Sequence, residues 1–294
     1  MLPPDITHND GTAMLLVQIS DTHIEEAGAK AYGQFDTTRA LERCLAAILK
    51  LDRRPDFIVH TGDLAHHGSL ERYRLFRSIM DDFPIPYCAI PGNHDARDLF
   101  REAFSDRPWM PVEFPFIQFV VEGTIRLICL DSTIPHETPG ELCATRLDWL
   151  EKRLAEAPGH PTIVALHHPP FATGMTGGSS DGLVRGGVEF AHLLRRFPNV
   201  VRVISGHNHR AVTAAFGGTT GYVVPAVSYP FALEMGAERR LSLAGEPPGF
   251  GVHLRLDDDG TGAPGLITHT VPIGDWPPPM PLLRGGRRVL PDTT

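Results

Sequence analysis

Cysteine is scarce in this 294-residue chain, and its four positions (Cys44, Cys88, Cys129 and Cys143) make neither a C-x-x-C pair nor a disulfide framework. A structural thiolate zinc site and a dithiol redox motif are therefore excluded, and the four read as reduced, mostly buried thiols. Long apolar runs are missing as well. No stretch approaches the ~18 to 20 apolar residues of a membrane span, which argues against a membrane partner. The opening "MLPPDITHNDGTA" has neither the basic start nor the apolar centre of a secretion signal, so the expected location is the cytoplasm. Positive charge is in deficit, with 27 Lys and Arg against 35 Asp and Glu, a net −8. That argues against long nucleic acid as a partner, since its phosphates call for a basic face. Internal repeats and low-complexity blocks are absent. So are a Gly-x-Ser-x-Gly elbow and a reactive-cysteine block, which leaves no protein nucleophile on offer.

What remains is a globular composition, 42% apolar and 21% charged. The length suits one domain with a modest extension. We expect a domain over 14–274, including a rim, cap or subunit-contact region at 211–254, an N-terminal arm at 1–13 and a Pro-rich tail at 275–294. Short apolar runs alternate with helical patterns, as βα units do. "MLLVQIS", "DFIVHTG" and "IPYCAIPG" read as strands. "TTRALERCLAAILKL", capped by Thr37 or Thr38, and "SLERYRLFRSIMDDF", capped by Ser69, read as helices. The centre is richer in β structure. "FPFIQFVVEG" and "TIRLICLDS" form a hairpin turning near Glu122 and Gly123, in which Phe114, Phe116 and Phe119 pack rather than stack on a base. Then come the helix "TRLDWLEKRLAEA", the strand "PTIVALHH", a helix from about Val188 to Phe197 and the strand "VVRVISG". Four more strands follow between Gly-rich turns, and the loop "PPFATGMTGGSSDGLVRGG" (169–187) has no regular pattern.

The chemistry collects where apolar runs stop. Asp21 and His23 follow the first strand, Asp63 the second, and Asn93, His94 and Asp95 the third; His167 and His168, then His207 and His209, follow two later ones. In α/β sheets ligands gather beyond the carboxyl ends of strands, so residues far apart in sequence can converge. Gly62, Gly92 and Gly206 adjoin these positions, where a close approach of backbone would exclude a Cβ. Carboxylate, imidazole and amide oxygen without thiolate suit Mn, Fe, Co or Zn. Asp21, His23, Asp63, Asn93, His167, His207 and His209 are too many for one open tetrahedral site. They suit two ions ~3.5 to 4 Å apart that share a carboxylate.

In this order "ISDTHI", "TGDLA", "IPGNHD", "HHPP" and "SGHNH" resemble the calcineurin-like metallophosphoesterases, and within them the class III cyclic nucleotide phosphodiesterase and glycerophosphodiesterase group. "YGQFDTTRAL" and "EPPGFGVHLRL" extend the likeness more weakly. The resemblance implies a four-layer α/β/β/α sandwich of two mixed sheets flanked by helices, with a small C-terminal cap or interface extension. It also implies that Asp21, His23 and His209 hold one metal, Asn93, His167 and His207 the other, that Asp63 bridges, and that His94 lies beside the substrate phosphate. The motif favours His167 over His168 as ligand. His66 departs from the carboxylate or amide frequent in that group, and reads more readily as a loop histidine than as a supporting one. His8, His60, His136, His160, His192, His253 and His269 have no spacing that calls for a metal.

The expected chemistry is in-line attack on phosphorus by a hydroxide bridging the two ions. Asn93 would ligate without adding charge, and His94 would donate to a phosphoryl oxygen or to the leaving group. Two divalent ions, two carboxylates and one hydroxide leave about +1, which matches a diester monoanion better than a monoester dianion. The expected substrate is a small phosphodiester, such as a 3′,5′-cyclic nucleotide (cAMP) or a glycerophosphodiester. A phosphomonoesterase or a non-catalytic metal-binding scaffold of the same fold are the competing readings, and a homo-oligomer is expected from the family likeness.

Overall fold

The computed structural model describes residues 14–177, 182–256, 265–277, 280–284 and 287–288. The expected N-terminal arm, residues 178–181 of the Gly-rich loop and much of the tail lie outside the described residues. Two sheets dominate. The first has the order β13-β12-β1-β2-β3, with β1 (Leu15–Ile19), β2 (Phe57–His60) and β3 (Tyr87–Ala89) parallel. In the same sheet β12 (Gly249–Leu256) runs antiparallel to β1 and to β13 (Gly265–Pro272). The second has the order β10-β11-β9-β7-β5-β4. Its parallel centre comprises β5 (Arg126–Cys129), β7 (Thr162–Ala165), β9 (Val200–Ser205) and β11 (Thr219–Val223). At its edges β4 (Phe119–Val121) and β10 (Val212–Phe216) are antiparallel.

The alternation of side chains along each strand builds the layers. In β5 and β7, Leu127, Cys129, Ile163 and Ala165 join the core shared by the two sheets. Their neighbours Ile128, Leu130, Val164 and Leu166 face the other way, onto α4 (Ala144–Ala155) and α5 (Gly187–Leu194). Helices α1 (Thr37–Ile48), α2 (Leu70–Asp81) and α3 (Arg97–Ala103) cover the first sheet through Leu41, Ile48, Tyr73, Phe76 and Phe100. Each such fully buried large side chain contributes ~1.5 to 3 kcal/mol. The result is the expected α/β/β/α sandwich. Gln18 crosses between the sheets: its Nε2 on β1 donates to Ser205 O on β9 at 2.9 Å, while within its own sheet its Oε1 lies 3.1 Å from His253 Nε2 on β12.

Several local expectations change. Asp36, not Thr37 or Thr38, caps α1: its Oδ1 accepts from Arg39 N at 3.0 Å, while the Thr37 hydroxyl accepts from Glu25 N at 3.2 Å instead. Ser69 caps α2 as expected, accepting from Arg72 N at 3.3 Å. Helix α3 is additional, and with Phe100 as its one buried residue it has no repeating apolar face to betray it. Part of the 169–187 loop is regular, since β8 (Leu183–Arg185) pairs in parallel with β6 (Gly140–Glu141). Helix α5 stops at Leu194 rather than Phe197. The hairpin turns where expected, and its phenylalanines pack within the protein: Phe114 on Trp149, Phe116 against the Arg146 guanidinium at 3.9 Å, and Phe119 on Trp109.

Candidate metal centre

The ends of β1, β2 and β3 in one sheet meet the ends of β7 and β9 in the other, and all of the sequence-derived positions come together there. Five of them adopt a left-handed backbone: Asp21 (φ 54°), His23 (45°), Asp63 (57°), His207 (71°) and His209 (53°). Only two other non-glycine described residues do so, Tyr32 and His136. Each such residue costs on the order of 1 to 3 kcal/mol, a cost tolerated where the surroundings over-determine the geometry. Here Asp21 N donates to Gly62 O at 2.9 Å and His23 N to Asp63 O at 3.0 Å, so the first two loops are stitched together. The glycines are needed for space. A Cβ on Gly62 would stand 2.4 Å from His167 Nδ1, one on Gly92 2.2 Å from Asp63 Oδ1, and one on Gly206 2.0 Å from Ser20 Oγ.

Proton accounting shows what the cluster lacks. His167 Nδ1 lies 2.7 Å from Thr61 O and must donate to it, so in the neutral imidazole the lone pair is on Nε2, 3.2 Å from Asn93 Oδ1 and 3.4 Å from Asp63 Oδ2. His209 Nδ1 donates to Tyr229 O at 2.6 Å, which leaves Nε2 3.1 Å from His23 Nε2 and 3.4 Å from Asp21 Oδ1. His207 Nδ1 is 3.0 Å from Asn93 Oδ1, and its buried Nε2 has no hydrogen-bond partner. Ring nitrogens, carboxylate oxygens and the Asn93 amide oxygen therefore crowd together in two neighbouring groups. Asp63 Oδ2 belongs to both, 3.6 Å from His23 Nε2 and 3.4 Å from His167 Nε2. This donor set, imidazole and carboxylate around an electron-rich hollow, fits cations of the Mn, Fe, Co or Zn type.

The electrostatics agree. Burial would raise both carboxyls, yet the facing imidazoles, His209 for Asp21 and His167 for Asp63, hold Asp21 below and Asp63 well below the ordinary carboxylate range. Burial would lower His167, but Asp63 and then Asp21 outweigh it and push the imidazole up to about 9, so the pair of carboxylates draws in positive charge. Burial, reinforced by His94, keeps His23 well below its usual value, and burial, reinforced by His167, lowers His207 to about 3.

His168 lies against His167 and His207, but both of its ring nitrogens are engaged elsewhere: Nε2 donates to Thr138 O at 3.0 Å and Nδ1 accepts from Ser132 Oγ at 2.8 Å. His94 Nδ1 donates to His66 O at 2.7 Å, which leaves Nε2 as the other ring nitrogen, and its backbone N donates to Asp63 Oδ1 at 2.8 Å. His66 is more than a loop residue. It is buried, with its ring 5.5 Å from those of both His23 and His94 and Nε2 3.9 Å from Glu25 Oε1. Three supporting groups were not legible as such. Tyr229 and Phe231 stack on His23 and His209 at 5.3 and 4.1 Å, and Asp95 accepts from Leu64, Ala65 and Gly92 N–H groups, bracing the Asp63 loop to the Asn93 loop. Asp95 at least follows Asn93 and His94 directly. Tyr229 and Phe231 lie in a segment with no distinguishing pattern.

Beside Asn93 and His94 opens a cavity of about 710 Å³, also bordered by Arg97, Thr133, His136 and Thr138. Arg97 is held there by Asp131 (2.6 Å) and Thr133. No helix among the described residues is long and apolar enough to cross a membrane.

Several known proteins are similar in sequence over most of the chain. The probable glycerophosphodiester phosphodiesterase GpdQ of Arcobacter nitrofigilis is 33% identical over 269 residues, covering 91% of this chain and 96% of that one. The 3′,5′-cyclic adenosine monophosphate phosphodiesterase CpdA of Escherichia coli K12 is 31% identical, covering 74% and 77%. A dimetal phosphatase from Danio rerio shares the fold, with a TM-score of 0.60 over 90% of this chain and 100% of that one at 13% identity. Residues 14–211 match the family described as calcineurin-like phosphoesterase, and the chain belongs to that family.

Proposed function

We propose that this chain is a dinuclear metal-dependent phosphodiesterase acting on small phosphodiesters, with 3′,5′-cyclic nucleotides and glycerophosphodiesters as the candidate substrates. The observation that carries the reading is the single Asp63 oxygen shared by two converging groups of lone pairs. Asp21, His23 and His209 form one metal-binding group and Asn93, His167 and His207 the other, with Asp63 common to both. Mn, Fe, Co or Zn fit them. Relatives named as glycerophosphodiester and cyclic nucleotide phosphodiesterases support the choice of a diester.

When bound, two divalent ions supply electrophilic charge at phosphorus and a water acidified to near-neutral pH. The chain does the rest. Asp21 and Asp63 keep the net charge of the loaded site low, and the neutral Asn93 amide completes a group without lowering it further. Thr61 O and Tyr229 O fix the tautomers of His167 and His209, so the ligating nitrogens are presented without reorganisation. His94 has Nδ1 committed to His66 O, and so acts through Nε2. It donates from that nitrogen to a phosphoryl oxygen or to the departing alkoxide. Tyr229 and Phe231 close the His23 and His209 side, while the cavity beside Asn93 and His94 leaves room for a small leaving group. A cytoplasmic location and self-association through the 211–254 region complete the reading. The exposed Leu233, Met235, Leu241 and Leu243 support the latter, and light scattering on the purified chain tests it.

The metal-reconstituted protein should hydrolyse bis(p-nitrophenyl) phosphate faster than p-nitrophenyl phosphate. Asp63→Ala should leave below about 1% of kcat/KM for either. A preference for the monoester, or stoichiometric metal with no turnover of any phosphate ester, contradicts the proposal.

A further inference from the structure

His60 was set aside in the sequence because nothing in its spacing calls for a metal. In the fold it is fully buried at the end of β2, beneath the loops that carry Asp21, His23 and Asp63, with its ring against the edge of Phe76. Its two nitrogens reach different loops. Gly62 N donates to His60 Nδ1 at 3.2 Å, and His60 Nε2 lies 3.0 Å from Thr22 Oγ1. The Thr22 hydroxyl is also 3.0 Å from Leu64 O, a carbonyl that can only accept. Its proton is thus spent on Leu64, and it must accept from Nε2–H. All three bonds then run in one direction, from Gly62 N–H to Nδ1, from Nε2–H to Thr22, and from Thr22 O–H to Leu64 O. The chain closes a ring between the first loop and the second.

We propose that His60 is a positioning residue for the metal centre: its Nε2–H tautomer locks the Asp21-Thr22-His23 turn to the Gly62-Asp63-Leu64 turn, holding three left-handed residues in register. The inference rests on those residues binding metal, as proposed above. Thr22 sits between two of the ligands, so its bonded hydroxyl anchors the turn that carries both. Gly62 precedes the shared Asp63, and its N–H has no other acceptor among the described bonds. Groups that support metal ligands in this way typically carry ~10 to 100-fold in metal affinity.

The test compares the full-length protein with His60→Leu and His60→Gln, titrated with Mn(II) and Co(II) against a competing chelator. His60→Leu should bind 10 to 100-fold more weakly and alter the visible Co(II) spectrum. His60→Gln, which retains a donor and an acceptor, should recover most of both. Unchanged affinity and an unchanged Co(II) spectrum in His60→Leu overturn the proposal. If that variant does not fold, Thr22→Val breaks the same chain at its middle and is read in the same way. On the unmodified protein, nitrogen-15 NMR should report protonated Nε2 and bare Nδ1 for His60, and the opposite tautomer or an imidazolium overturns it. Failure of the unmodified protein to bind any metal would instead refute the functional reading while leaving the tautomer result to stand or fall alone.

Discussion

At the scale of single residues, the centre is held by places where ordinary side chains do not fit. Gly62 combines a φ of 104° with a Cβ position 2.4 Å from the His167 ring. Gly62→Ala should therefore push His167 off its bond to Thr61 O and weaken metal binding by at least ~10-fold. Gly159→Ala is the control, since nothing lies within 4 Å of its Cβ position and binding should not change. A chelator titration of both variants decides the point, and equal affinities would remove Gly62 from the account. The metal-type residues were legible because each sits in a short motif at the end of an apolar run. Their supports were not. His60 acts on Thr22 and Gly62, Asp95 on Leu64 and Ala65, and Tyr229 on His209, in each case through hydrogen bonds that leave no periodic trace in the sequence.

Among the elements, what could be read depended on length. Helices α1, α2 and α4 each run 12 residues with an apolar stripe, whereas α3 has 7 residues, and β6 and β8 have 2 and 3, too few for any period to emerge. The α1 cap, expected at Thr37 or Thr38, lies one or two residues earlier: Asp36, Thr37 and Thr38 are all able to cap, and the Asp36 bond to Arg39 N, with Thr37 engaged by Glu25 N, decides among them. Asp36→Ala should destabilise the fold by ~1 kcal/mol, and Ser69→Ala by a similar amount, both read from urea unfolding. Helix α3 depends on a different device. Asp131 is fully buried and accepts from Arg97 at the start of α3, from Ile117 N and from Thr133. Asp131→Ala strands the Arg97 guanidinium at the rim of the cavity, and should cost ~3 kcal/mol and raise KM more than it lowers kcat. A loss of stability with unchanged KM would separate Asp131 from the cavity.

For the whole molecule, the site exists only where the two sheets are held in register. Gln18 crosses to Ser205 O and meets His253, while Tyr222 Oη and Thr270 Oγ1 make a second crossing at 2.8 Å. Burial, with Arg202 nearby, lowers His253 to about 3, so the imidazole is neutral in the folded protein. The unfolded chain takes up that proton first as pH falls below ~6.5. His253 therefore imposes no acid penalty above ~6.5, and one growing by up to ~1.4 kcal/mol per pH unit from there to about 3. His253→Gln should flatten the loss of stability between pH 6 and 4 by about one proton's worth, and an unchanged slope would mean that His253 titrates normally. The sandwich itself was readable from the alternation of strands and helices together with the family likeness, since strand alternation sorts Leu127 and Cys129 inward from Ile128 and Leu130. The inter-sheet polar contacts were not, because they join positions as far apart as Gln18 and Ser205.

The central claim is that two cations share Asp63, and electron paramagnetic resonance of the protein loaded with Mn(II) tests it directly. Two equivalents bound ~3.5 to 4 Å apart through one carboxylate should give an exchange-coupled spectrum that collapses to isolated six-line signals in Asp63→Ala. Isolated signals in the unmodified protein, or saturation at a single equivalent, would contradict it.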